Sequence, residues 1–275
     1  MNLTEIIKNS IVFPSRNLET LSVYAILSLL SAGFIFEGVI TCIFGIFDLL
    51  NLVVGAAYII IGVIIGFITR RISIQCVKSG IDLEEKMPDF NWWQSFGTGF
   101  AKVIITIYYF LIPALIVVLI GLVTDVFGSV VYLVQKITSQ IPFIITSGST
   151  DTATNALFQA SFPLLISLEI TISLGLIIFL IFSFFQVMGE ARLAHTGSLK
   201  KALNIYGAAK DIRRIGVIKV IVLSVLIFVI VSIIGGITAL IFNQFLVLSI
   251  LNIVIAPYIT LFGQRALGLL YSDIV

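Results

Sequence analysis

Six apolar runs, at about residues 18–44, 50–76, 99–123, 157–189, 215–242 and 245–271, constrain this chain more than any other feature. A run of about twenty such residues crosses the roughly 30 Å hydrocarbon core of a bilayer as an α-helix. Lipid offers no hydrogen-bond partners, so each run must satisfy its own backbone, and a helix does this within one segment. Hydrophobic residues make up 59% of the chain and charged residues only 11%, with a mean hydropathy of +1.18, so the charges cannot cover that apolar surface in water. The expected fold class is an all-α integral membrane protein with six transmembrane helices. The intervening stretches are too short for a separate soluble domain, and residues 1–275 are read as a single membrane domain. The first run continues through Ile35, Phe36, Val39 and Ile40 beyond Ser31-Ala32-Gly33, longer than a cleavable signal segment, and is read as a retained span.

Lys and Arg orient the bundle. With the amino terminus in the cytoplasm, all sixteen except Lys136 fall on the cytoplasmic side, and a missed or extra span would scatter them over both faces. Both termini are therefore placed in the cytoplasm and the protein in the cell membrane. A net charge of +2 without a clustered basic face argues against nucleic acid as a partner.

Three segments have the patterning of helices that lie at the membrane surface. Residues 1–17 place Leu3, Ile6, Ile7 and Ile11 on one face, with Pro14 expected to close the helix and Asn17 to cap the first span. Residues 77–98 contain EEKMPDFNWWQSFG, where Pro88, Asp89 and Asn91 suit a helix start. Trp92, Trp93, Phe96 and Phe100 follow as aromatic anchors at headgroup depth. Residues 190–214 include SLKKALNIYGAAKDIRRIG, with Leu199, Leu203, Tyr206, Ala209 and Ile212 on one face. Lys200, Lys201, Asn204, Asp211 and Arg214 fall largely on the other, toward anionic headgroups. The stretch 124–156, rich in Ser and Thr toward its end, reads as an outer loop with a short membrane-skimming piece at 141–145.

These segments suggest a three-fold repeat of interfacial helix plus helical hairpin. GFAKVII from Gly99 resembles GVIKVIV from Gly216, and the returning spans end in RRISIQ, EARLAH and GQRALG, which align Arg71, Arg192 and Arg265. The run RRISIQCVKSGIDLEEKMPDFNWWQSFGTGFAKVI and the closing APYITLFGQRALGLLYSDI also resemble the motifs of an uncharacterised archaeal membrane-protein family, domain-of-unknown-function family 4013. That family is distantly similar to the membrane domain of glycerophosphodiester phosphodiesterases. The resemblance implies a multi-pass fold and no assigned activity or site residues.

Catalytic chemistry is not visible in the sequence. His195 is the single histidine, and it follows Glu190 and Arg192 at the inner end of span four. Histidine-pair metal sites are excluded for one chain, and no metal or cofactor is expected. Cys42 and Cys76 lie at opposite ends of the first hairpin and cannot pair within one chain. Gly97 and Gly99 suit close helix packing in lipid. Glu190 is expected to pair with Arg192 or a basic neighbour. Inside the spans, Glu37 and Glu169 are the polar candidates, because a carboxylate in hydrocarbon needs a partner, water or a proton. Counted from Leu157, Glu169 falls near mid-membrane and is expected to face inward. Asn243, Gln244 and Asn252 are weaker candidates near an outer turn.

The function this supports is a non-enzymatic membrane protein that binds or organises lipids, a partner protein or a second copy of itself. The alternative is a small permease or channel coupled through Glu37 or Glu169. A lipid-modifying enzyme would need Glu190, His195 and Arg192 around one cavity. Topology is directly testable: a single cysteine at Ser149 should react with an impermeant reagent from outside the cell, and one at Ser198 should not. Labelling at Ser198 from outside overturns the six-span arrangement.

Overall fold

A computed structural model describes residues 1–46, 48–86, 92–147, 150–242 and 252–275. The side chains of 92–95, 140–147, 150–154, 156, 239–242 and 252 fall outside the described set, as does the span edge at Asn243 and Gln244. The helices are α1 Leu3–Arg16, α2 Leu18–Phe44, α3 Leu49–Ile81, α4 Trp92–Val123, α5 Val126–Ser147, α6 Thr150–Thr196, α7 Leu199–Ala202, α8 Ile205–Ile215, α9 Val217–Phe242 and α10 Asn252–Tyr271. Among the described residues there is no strand, and six helices carry stretches long and apolar enough to cross a membrane. These are Leu18–Phe44, Leu49–Ile81, Phe96–Val123, Leu157–Thr196, Val217–Thr238 and Ile253–Ile274. The all-α, six-span class read from the apolar runs is the one observed.

The chain forms two compact units, one of Met1–Thr106 with Phe185–Val275 and one of Ile107–Phe184. In the first, α2 and α3 form an antiparallel hairpin whose turn is capped by Asp48, which accepts from the Leu50 N–H at 3.0 Å. Their contact is built from small residues. A Cβ added to Gly38 would lie 2.6 Å from the Gly55 carbonyl oxygen, and Ser31 donates to the Gly62 carbonyl at 2.8 Å. Lipid provides no hydrophobic drive between helices, so close backbone approach supplies the van der Waals contact that holds them. α10 crosses α3 by the same device, since a Cβ on Gly268 would sit 2.2 Å from the Val77 carbonyl oxygen.

The amino-terminal helix is seated on the bundle. Ile6, Ser10, Phe13 and Pro14 are its buried residues, and Phe13 joins Leu21, Ile72, Cys76 and Leu261 in one core cluster. Of the face expected from sequence, Ile6 is buried, while Ile11 is exposed and Ile7 half-buried. Pro14 does not close the helix, whose last residue is Arg16. Proline's fixed φ is compatible with a helix, so α1 continues past it although the ring has no N–H to donate to the carbonyl four residues back. Asn17 donates its side-chain amide to the Phe13 carbonyl at 3.0 Å and the Glu85 carbonyl at 3.1 Å. It thus covers the end of α1 rather than the start of α2.

In the second unit, the last turn of α4 meets α6 through the Thr124 and Thr171 hydroxyls, 2.8 Å apart, and Phe110 stacks on Phe179 at 5.9 Å. The stretch expected as an outer loop is helical over Val126–Ser147, entered through Asp125 at φ 56°. Phe127, Val130, Val131 and Val134 recur there at helical spacing, a period that the Ser- and Thr-rich tail of the segment obscures in sequence.

Because Gly38 and Gly55 carry the α2–α3 contact, Gly55→Val should overpack it, at a cost of about 1–3 kcal/mol. This should appear as a lowered thermal midpoint in detergent, whereas Gly33→Ala, on the same hairpin with nothing within 4 Å of its added Cβ, should leave the midpoint unchanged or higher.

Candidate functional site

At one end of the first unit the Met1 amino group and the Asp273 carboxylate are 2.6 Å apart. Lys219 at the start of α9 bonds the same carboxylate and also donates to the Met1 carbonyl at 2.7 Å. The sequence-predicted residues Arg71, Glu190, Arg192, His195 and Arg265 lie in this unit, but they enter separate arrangements. The side chains of Trp92 and Trp93 lie outside the described residues.

Glu190 on α6 is buried and pairs with Lys102 of α4, Nζ to Oε2 at 3.0 Å. Gln186 donates to its other oxygen at 2.6 Å, and Lys102 also donates to Ser73 of α3 at 2.8 Å. Of the two partners open in sequence, Arg192 or another basic neighbour, it is a basic neighbour that pairs with Glu190, and Arg192 Nη1 meets Asp211 of α8 at 3.0 Å. Tyr271 donates to the same Asp211 oxygen at 2.9 Å, and Arg192 Nε donates to the Lys201 carbonyl at 3.0 Å. Asp211, expected on the outer polar face, is thus turned inward and buried, because an arginine on α6 offers it a charge partner.

Arg71 is buried and donates to the side-chain oxygen of Gln75 at 3.3 and 3.2 Å when that amide is turned to present its oxygen. Arg265 is 1% exposed; it donates to the Ser79 hydroxyl at 3.0 Å and its guanidinium lies 4.3 Å over the Phe13 ring. His195 is exposed, its ring 6.1 Å from that of Tyr271. Glu190, Arg192 and His195 therefore do not converge on one cavity among the described residues. Lys102 and Asp211 were the members missed in sequence. Lys102 stands inside GFAKVII, and a lysine entering an apolar run calls for a buried acid.

Glu169, expected to face inward, is exposed, and Glu37 is exposed as well.

Two cavities flank α1. One, of about 430 Å³, is lined by Met1, Glu5, Lys8, Asn9, Val12, Phe13, Arg16 and Glu85. The other, of about 510 Å³, is an apolar groove of Thr4, Ile7, Lys8, Ile11, Val12 and Leu226. On the outer side of α7 and α8, Lys200, Lys201, Lys210, Arg213 and Arg214 are exposed together with Tyr206, while Ala202, Gly207, Ala208, Asp211 and Ile215 are buried. No group of His, Cys, Asp and Glu among the described residues could hold a metal ion.

A family model described as "Protein of unknown function (DUF4013)" matches residues 54–242. No curated protein and no solved structure matches the chain.

The buried pair makes a quantitative test. Lys102→Met or Glu190→Gln alone should each destabilise the fold by about 3–5 kcal/mol, because either leaves an uncompensated polar partner in an apolar setting. The combined Lys102→Met, Glu190→Gln variant should lose less than the sum of the singles in thermal unfolding in detergent.

Proposed function

This chain belongs to the DUF4013 family, and from that premise and its own surface we propose that it is a non-enzymatic membrane protein that binds and organises anionic lipids at the cytoplasmic face of the cell membrane. The observation that carries this reading is the basic outer face of α7 and α8. Lys200, Lys201, Lys210, Arg213 and Arg214 are exposed there while the helix behind them is fixed to the bundle through Asp211, Arg192 and Tyr271. Each basic side chain near an anionic leaflet contributes about 1 kcal/mol of attraction. Tyr206, 80% exposed on α8, suits headgroup depth. A rigid basic face gathers anionic headgroups without chemistry, and the separate partners of Glu190, Arg192 and His195 fit a protein that performs none.

A three-fold repeat accords with one pairing rule. Lys102 and Lys219 each stand three residues after a glycine that opens an outgoing span, and each bonds an acid on the returning span, Glu190 and Asp273. The permease alternative has less support, because exposed Glu37 and Glu169 line no described cavity.

Hydrogen exchange of the reconstituted protein tests the lipid reading. Amides of 199–215 should exchange more slowly in bilayers containing phosphatidylglycerol than in pure phosphatidylcholine, and Arg213→Gln with Arg214→Gln should remove most of that difference. Equal exchange in the two bilayers overturns the reading.

A further inference from the structure

The faces of α1 divide its work. Ile6, Ser10 and Phe13 are buried against the bundle. Thr4, Ile7, Lys8, Ile11 and Val12 form an outward stripe at helical spacing, and Glu5, Lys8, Asn9, Val12 and Arg16 form the stripe beside it. The apolar groove lies against the first stripe and the polar cavity against the second, so Lys8 and Val12 border both.

Lys8 is also the basic side chain at this end left without an ion pair or hydrogen bond among the described residues that line these cavities. Arg16 pairs with Glu85 at 3.4 Å, and the nearer acid, Glu5, accepts from the Asn2 N–H at 3.2 Å. Leu226, the far wall of the groove, stands about 10 Å along α9 from Lys219. The groove therefore leads from the charged end into the apolar span, the course of a lipid chain below its headgroup. Its back wall is fixed: Tyr258 donates to the Ile11 carbonyl, and Arg265 stacks on Phe13. Both volumes lie within the usual range of ligand sites.

We propose that Lys8 binds the phosphate of one anionic phospholipid whose chain lies in the groove of Ile7, Ile11, Val12 and Leu226. This rests on the lipid-binding reading and adds to it a discrete site, separate from the basic face of α7 and α8. An ammonium meeting a phosphate diester at the edge of hydrocarbon forms a charge-assisted hydrogen bond. An apolar groove beside the ammonium then distinguishes a held lipid from one merely attracted to the surface.

Native mass spectrometry of the full chain, titrated with phosphatidylglycerol in mild detergent, tests the site. The wild type should hold one phosphatidylglycerol more tightly than the rest, and Lys8→Gln should weaken that lipid by about tenfold or more, the loss expected for one hydrogen bond to a charged group. Leu226→Trp, which fills the groove without touching charge, should weaken it similarly, with circular dichroism confirming that both variants remain folded. Arg213→Gln with Arg214→Gln should leave it bound. Equal retention by wild type and Lys8→Gln overturns the site; if the α8 variant alone sheds lipid, the general lipid reading survives without it, and if no variant changes retention both fall. Displacement by glycerol phosphate at the same concentration as the lipid would show that the groove contributes nothing, and would likewise overturn the proposal.

Discussion

Charge at the edge of hydrocarbon must be paired, and the first unit is organised by that requirement. Taking an ammonium or carboxylate out of water costs several kcal/mol, so Lys102 and Glu190 are tolerable only because each meets the other and a further hydrogen-bond partner, Ser73 or Gln186. That single pair ties α4 to α6 and, through Ser73, to α3. The same rule repeats at Lys219 with Asp273 and at Arg192 with Asp211. The Lys102–Glu190 and Lys219–Asp273 pairs join elements far apart in sequence, and Arg192–Asp211 holds α8 back against α6.

Between the charged ends, helices meet through absence of side chain rather than through oil. Gly38 with Gly55 and Gly80 with Gly268 let backbones approach to distances that any Cβ would block. Close backbone contact replaces the hydrophobic effect where the solvent is itself apolar. Large apolar side chains then remain outside, and Ile60, Leu111, Leu176 and Phe228 are all exposed, as a surface solvated by lipid requires.

The lipid proposals join these two principles. A basic helix face is useful only if its backbone is held still, and Asp211 holds it. A groove along α1 exists because Phe13 and Ile6 seat that helix firmly while Ile7 and Ile11 stay outside. The carboxylates Glu37 and Glu169 stand apart from both arrangements, exposed on α2 and α6.

The number of spans and the all-α class were legible in the amino-acid order, because a run of apolar residues in lipid has one way to satisfy its backbone; of the close packing expected at Gly97 and Gly99, only Gly99 shows it, its added Cβ lying 1.9 Å from the Phe67 carbonyl oxygen, while Gly97 has nothing within 4 Å. Arg71, Glu190, Arg192 and Arg265 were also visible as polar residues at span ends. Their partners were not: Lys102 is 88 residues from Glu190, and Asp211 sits in a helix whose other charges face outward. Periodicity placed Ile6, Ile7 and Ile11 of α1 on one face without showing that Ile6 alone of them is buried, and it turned Glu169 inward where the side chain is exposed, since it carries no information about which side another helix covers. Local pattern determines what a segment is, because backbone hydrogen bonds and helical period are local. Tertiary structure decided which charges pair, which face is buried and where the cavities lie, because desolvation depends on neighbours that only the folded chain brings into place.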